Sequence, residues 1–406
     1  METIPRVKYI KRRLYVDAVK PYINKNVIKV FVGQRRVGKS YLMYQIIDEI
    51  RTMQPDAHII YISKELHEFA EIRDYNDLYA FVKNRSEKHE KTYLFIDEIQ
   101  DIISFEKALR SLQAEGIFDI YCTGSNANML SAELATLLSG RYIEIKILGL
   151  SYIEFLEFHQ LENVSESLQK YLKYGGLPYL INLKLDDHVV YDYLKSIYLT
   201  ILYKDILKKY NIRNTDFLER LVEFLADNTG SLISAKKISD YLKNQKINIS
   251  HVNVLNYLTY LVNAFFIFRV KRSEIGGKKI FEVGEKYYFE DLGLRHSIIG
   301  FRQNDIGKIM ENVVFLHLII SGWEVTVGKS NGNEVDFVCK KAGEKLYVQV
   351  AYLLVDEATR NREFGNLLAI KDNYPKMVVS MDEFSGNSFE GIQIRNLKDF
   401  LSTYIQ

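Results

Sequence analysis

Short apolar runs alternate with stretches of helical periodicity along the first part of the chain. Val27–Val32, His58–Ile62, Thr92–Ile96, Phe118–Cys122 and Arg141–Ile145 read as strands. Between them, Lys39–Met53 places Leu42, Ile46, Ile47 and Ile50 on one helical face. Further helical stretches fall around Tyr75–Lys91, near Phe105–Glu115 and, shorter, near Asn128–Leu138. Strands alternating with helices imply a parallel sheet covered on both faces. Right-handed crossovers would bring the loops after the strands to one edge of that sheet.

The pattern changes near residue 150. Ser151–Lys209 reads as helical, broken at Tyr174-Gly175-Gly176-Leu177-Pro178. Asp216–Asp227, Ala235–Leu242 and Ser250–Asn263 are three more helices. Strand-like Phe265–Lys271 and Lys279–Phe289 then flank a turn at Gly276-Gly277. Three helices followed by a hairpin form the winged-helix pattern, whose third helix can enter a DNA major groove. His251, Asn253 and Asn256 would face outward on it; the alternative use of such a module is protein packing. A helix at Lys308–Ile320 and strand-like Trp323–Val327, Glu334–Lys340 and Lys345–Val350 begin a last α/β unit. The expected organisation is therefore a parallel-sheet α/β core over 1–150, a helical connector over 151–212, a winged helix over 213–300 and a second α/β domain over 301–406.

Gly33-Gln34-Arg35-Arg36-Val37-Gly38-Lys39-Ser40 follows the first strand and opens the first long helix. It fits the P-loop spacing, in which backbone N–H groups and the positive end of the helix cradle phosphates. Lys39 would reach the β/γ-phosphates of ATP, and the Ser40 hydroxyl would ligate Mg²⁺. Tyr41 extends the candidate nucleotide-binding segment. The third strand ends in Asp97-Glu98. A carboxylate at a strand end near the P-loop suits the Mg²⁺ shell, here Asp97, and the adjacent Glu98 suits a general base for water. Thr123-Gly124-Ser125-Asn126 follows the fourth strand, so Ser125 and Asn126 are candidates to contact the γ-phosphate or the attacking water, the alternative being a turn that needs Gly and Asn. Arg141 in Ser139-Gly140-Arg141 is a candidate finger for transition-state charge, in its own subunit or in a neighbour's.

Composition refines this picture without changing it. The chain has 406 residues, which suggests two or three domains, and 47% hydrophobic and 26% charged residues, ordinary for a globular protein. With 5 prolines and no low-complexity run, long disordered linkers are not expected. No apolar run reaches membrane-helix length, and the opening Met-Glu-Thr-Ile-Pro-Arg lacks a signal-peptide core, so a cytoplasmic protein is expected. Cys122 and Cys339, both in apolar strand-like settings, read as buried free thiols. A net charge of +2 does not announce nucleic acid. Basic residues do cluster at Lys8, Lys11, Arg12 and Arg13, and again among Lys236, Lys237, Lys243, Lys246, Lys271, Arg272, Lys278 and Lys279; most such runs are solvated faces.

The P-loop with paired arginines, Phe95-Ile96-Asp97-Glu98-Ile99-Gln100, Thr123-Gly124-Ser125-Asn126, Leu138-Ser139-Gly140-Arg141-Tyr142 and Tyr174-Gly175-Gly176-Leu177-Pro178-Tyr179-Leu180-Ile181 together resemble the AAA+-related ATPases with an AAA_14 core and a DUF4143 C-terminal region. The resemblance spans nearly the whole chain. It implies an ATPase core using ATP and Mg²⁺, a helical connector, a winged helix and a terminal domain similar to PD-(D/E)xK nucleases. In that last motif Glu311 matches the helix acid and Asp336 the strand acid, but Gln349-Val350-Ala351 stands where an acid-x-Lys belongs. Carboxylates there would hold a metal and the lysine would activate water, so the site reads as degenerate and DNA cleavage is not expected. The functional expectation is an ATPase coupled to duplex DNA, to protein partners or to self-association. The alternatives are a nucleotide-controlled switch with slow hydrolysis and an ATP-gated nuclease.

Overall fold

The computed structural model describes residues 8–127, 138, 140–212, 214–244, 247, 249–275, 284–330, 333–354, 357–383 and 388–405. The expected helix at Asn128–Leu138, the turn at Gly276-Gly277, and Lys246, Lys278 and Lys279 therefore fall outside the described residues, Leu138 excepted. Two compact units form, Met1–Leu148 with Asn263–Phe265 and Gly149–Val262 with Phe266–Gln406.

In the first unit, β1 (Ile28–Val32), β2 (Ile59–Ser63), β3 (Thr92–Asp97), β4 (Phe118–Gly124) and β5 (Tyr142–Lys146) form one sheet in the order β2-β3-β4-β1-β5. Every pairing is parallel. Each residue of β1, β3 and β4 is buried, as expected for strands covered on both faces. The helix Phe105–Ala114 turns Phe105, Ala108, Leu109 and Leu112 into the core beside Ile96, Ile120 and Leu94. Lys29 is the exception among the apolar residues of β1. Its ammonium is fully buried, and it pairs with Asp119 of β4 and donates to the Lys25 carbonyl at 3.0 Å. The order places β4 between β1 and β3, so the loops that follow these three strands are neighbours at one sheet edge.

The second unit begins with the helices Tyr152–His159, Ser165–Tyr174 and Asp187–Thr200. The last of these widens into a π-helix over Ile201–Lys208, within the stretch read as helical. The Gly175-Gly176 break has a specific cause. The Gly176 N–H donates to Asp291 Oδ2 at 2.7 Å, and Leu294 N–H donates to Oδ1 at 2.9 Å, so the backbone wraps a buried carboxylate. Gly175 has φ 77°, and a Cβ there would lie 2.5 Å from the Asp291 oxygens.

The helices Thr215–Asp227, Ala235–Asn244 and His251–Asn263 are followed by β6 (Ile267–Glu274) and β7 (Glu285–Phe289), an antiparallel pair. Beyond its own pairing, the hairpin also meets the strands that follow residue 300. It joins β8 (Glu324–Ser330), β9 (Asn333–Lys341), β10 (Glu344–Val350), β11 (Lys376–Ser380), β12 (Ser388–Phe389) and β13 (Ile392–Asn396) in an eight-stranded sheet ordered β12-β13-β11-β10-β9-β8-β6-β7. The join is a parallel pairing of Arg272 with Val327 and Glu274 with Lys329. Unpaired backbone groups are costly, and β6 pairs with β7 over Ile267–Lys271 and with β8 over Arg272–Glu274. The helix Ile306–Ile320 leads into β8, β9 and β10, and Glu357–Leu368 connects β10 to the parallel β11.

Candidate phosphate-binding site

The loop Gly33–Ser40 leaves β1 and enters the helix Lys39–Met53. A Cβ at Gly33 would lie 2.1 Å from the Ile147 carbonyl oxygen, so only glycine fits where the loop passes the chain beyond β5. Arg36 (φ 74°) and Gly38 (φ 94°) are both left-handed, on either side of Val37. That alternation curls the backbone and turns its N–H groups toward a common centre, the geometry of an anion cradle. The buried Lys39 ammonium donates to the carbonyls of Gly33 at 3.0 Å and Gln34 at 2.9 Å, which sets it across the loop. Gln34 is fully buried and neither atom of its amide finds a partner among the described residues. A buried amide in that state is costly unless a ligand meets it. Arg35 is 4.0 Å from Glu65, while Arg36 and Tyr41 face solvent.

At the end of β3, Asp97 is buried and accepts from Thr123 Oγ1 at 2.5 Å and from the Tyr61 hydroxyl at 3.4 Å. The Ser40 hydroxyl also bonds to it, so the P-loop and the acid of β3 meet. Burial raises the Asp97 carboxyl above its usual range, against the bonds from Thr123 and Ser40. Glu98 takes a left-handed backbone (φ 55°), a strained conformation of the kind that clusters at functional sites. Its N–H donates to Thr123 Oγ1 at 2.9 Å; its carboxylate accepts from Ser125 Oγ at 3.2 Å and from Gln100. Burial works to raise Glu98, but Lys39, Gln100, Arg35 and Ser125 outweigh it and hold the carboxyl below the usual range. Glu98 is therefore a carboxylate at neutral pH, able to accept a proton. Asn126 is buried in the same turn.

Sequence reasoning missed two supports of this site. Thr123 links Asp97 to the Glu98 backbone, a role hidden in a motif read for Ser125 and Asn126. Arg12 was grouped with a solvated basic run, yet it is buried, at 3% exposure. Its guanidinium donates to the Val37 carbonyl at 3.0 Å and to the Leu148 carbonyl at 2.9 Å, and lies over the Tyr15 ring. The spacing of Arg12 from the apolar Tyr15, Val16 and Val19 was the available signal.

The structure does not bring Arg141 to this edge. Arg141 precedes Tyr142, which pairs with Ile28 at the start of β1, so Arg141 stands at the opposite end of the strands from Gly33. It cannot serve the site of its own subunit, because the length of β1 lies between them. In the second unit Glu311, Asp336 and Gln349 do come together: Gln349 Oε1 accepts the Asp336 N–H at 3.2 Å, and the Asp336 and Glu311 carboxylates share a neighbour in Lys286. Ala351 is buried and offers no replacement for a lysine.

A five-stranded parallel sheet with a phosphate-type loop after β1 and an acid at the end of β3 matches the arrangement of a P-loop ATPase core. Residues 25–156 match the family model described as an AAA domain, and 165–305 match a domain of unknown function, DUF8612, in place of the expected DUF4143. An uncharacterized protein of Haemophilus influenzae is 36% identical over 398 residues, covering 97% of this chain and 98% of that protein. An uncharacterized protein of Methanocaldococcus jannaschii is 32% identical over 388 residues, covering 92% and 84%. The chain belongs to the family these two proteins share. A Walker-type ATPase of Pyrococcus abyssi has a similar fold, with a TM-score of 0.50 at 15% identity, covering 72% of this chain and 96% of that one.

Proposed function

We propose that the chain binds ATP with Mg²⁺ at Gly33–Tyr41 and hydrolyses it. The observation that carries this reading is the convergence of Lys39, Ser40, Asp97 and Glu98 at one sheet edge. Lys39 and the loop N–H groups would neutralise the β/γ-phosphates, and the orphaned Gln34 amide would gain a partner. Ser40 and Asp97 would hold Mg²⁺, which when bound offsets charge on the phosphate oxygens. Glu98 accepts the proton of an attacking water, and Ser125 and Asn126 orient that water. Arg141 acts on the site of a neighbouring copy, so full turnover needs self-association.

Hydrolysis is coupled to a partner through 213–300, whose three helices and hairpin support a winged-helix reading. His251, Asn253 and Asn256 are exposed on the third helix, as duplex DNA or protein contact requires. Helix Ile306–Ile320, three antiparallel strands, a helix and a parallel strand support a nuclease-like ancestry for the rest, without cleavage. A slow nucleotide-controlled switch is the second reading, favoured by the hold of Ser125 and Gln100 on Glu98. Steady-state hydrolysis with and without duplex DNA decides between them. Lys39→Ala should lose ATP affinity, and Glu98→Gln should keep affinity and lose turnover. Equal affinity in wild type and Lys39→Ala would refute the site.

A further inference from the structure

Among the described residues, buried charge away from the phosphate loop gathers around Lys286 of β7. Its Nζ lies 2.7 Å from Glu311 Oε1 on the helix Ile306–Ile320, and 2.8 Å from Glu334 Oε1 and 3.5 Å from Asp336 Oδ1, both on β9. The lysine side chain is 3% exposed. Around it the acids are otherwise satisfied. Glu311 Oε1 also accepts the Tyr288 hydroxyl at 2.6 Å, and Asp336 Oδ2 accepts the Val350 N–H at 2.9 Å. Gln349 donates to Glu363 at 2.8 Å, and Arg362 neutralises Glu363 from the surface.

An ammonium has three donors, and here three carboxylates from two elements surround it. Such a group stays charged out of water only when well paired. Burial pulls Lys286 toward its neutral form, but Glu311, Asp336 and Glu334 together keep it protonated. Two of the three acids are the ones that a nuclease-type site would use for a divalent ion. Their oxygens stand at hydrogen-bond distance from a nitrogen, wider than the roughly 2.0–2.1 Å that Mg²⁺ demands of its ligands. Among the described residues no group of three or more His, Cys, Asp or Glu is placed to hold a metal ion. Gln349 fits the same arrangement, because an amide there adds no further negative charge for one ammonium to offset.

We propose that the Lys286 ammonium is the resident cation of this acidic site. It takes the place of a divalent ion among Glu311, Glu334 and Asp336, joins the β6–β7 hairpin to the helix and strand beyond it, and leaves the domain independent of metal. The acids become a metal site only when that ammonium is removed. The inference deepens the nuclease-like reading but stands on the distances whether or not that ancestry holds.

Manganese chloride titrated into the nucleotide-free full chain, read by the electron paramagnetic resonance of free Mn²⁺ and by thermal unfolding, tests it. Wild type and Asp336→Asn should bind Mn²⁺ alike. Lys286→Met should gain a Mn²⁺ site at least about tenfold tighter than anything wild type holds there, because a like charge within contact range has gone. Its unfolding temperature should fall in chelator and recover in Mn²⁺, and Lys286→Met/Asp336→Asn should lose both effects. Folding of Lys286→Met only in the presence of Mn²⁺ would support the proposal equally. A folded Lys286→Met that gains no Mn²⁺ overturns it. So does a Mn²⁺ ion held by wild type and lost in Asp336→Asn, a comparison that needs no Lys286 variant. Neither result bears on ATP binding at the first unit.

Discussion

Arg12 sets the P-loop at the scale of single residues. One guanidinium nitrogen, Nη1, donates to two carbonyls, one in the loop and one beyond β5, while the backbone N–H of Arg12 donates to Gln45 Oε1 at 2.8 Å on the helix that follows the loop. Holding the Val37 carbonyl outward leaves the neighbouring N–H groups free to face a phosphate. Arg12→Ala would strand two buried carbonyls, at a cost of about 1–3 kcal/mol for each group left unsatisfied. ATP affinity measured by titration should fall about tenfold or more. Unchanged affinity in Arg12→Ala would remove Arg12 from the site.

Between elements, the pair Lys29–Asp119 ties β1 to β4 from inside the sheet. Both side chains are almost wholly buried, Asp119 also accepts the Asn24 N–H at 2.7 Å and the Tyr121 hydroxyl at 3.0 Å, and Lys29 lies over the Tyr121 ring. Burial lowers the Lys29 pKa, and Asp119 opposes the change. Removing one partner leaves an uncompensated charge, so Asp119→Ala should destabilise the first unit by about 3–5 kcal/mol, whereas replacing both residues with apolar ones of similar volume should cost far less. Denaturant unfolding of the single and double variants separates these outcomes; equal losses would show that the pair is not what holds the strands. The strands and most helices of this unit were legible in the sequence because full burial and helical periodicity are local patterns. The destination of the hairpin β6–β7 was not, since a strand carries no record of which partner lies along its edge. Pairing with β8, 55 residues on, decides it.

Across the whole chain, acid should be the condition the second unit tolerates least. Burial lowers His159 to about 4, His296 to about 3 and His317 to about 4. Each fold-favoured form is neutral, so the stability is full above about 6.5, the ordinary histidine value, and is lost as pH falls through the folded values. Burial raises Asp291 to about 6, with the opposite sign: its contribution is full below about 4 and lost as pH rises through about 6. His317→Gln can still donate to the Thr403 carbonyl, which His317 Nε2 meets at 3.0 Å, but cannot titrate. The wild-type unfolding temperature should therefore drop more steeply than that of His317→Gln between pH 6.5 and 4, by the equivalent of about 3 kcal/mol. Parallel curves would mean that His317 does not carry the acid sensitivity. Among the described residues no helix is long and apolar enough to cross a membrane.

The sequence by itself determined the phosphate loop, the acids at the end of β3 and the parallel core, because each rests on residues close together in the chain whose spacing is dictated by phosphate geometry and by strand and helix periods. Only the tertiary structure decided that Arg12 is a buried strut, that Arg141 stands at the far edge of its own sheet, that Gly175-Gly176 wraps Asp291, and that Lys286 sits among the acids of the second unit. Those four depend on which distant segments share a layer, and burial, pairing and desolvation act on groups brought together in space whatever their separation along the chain.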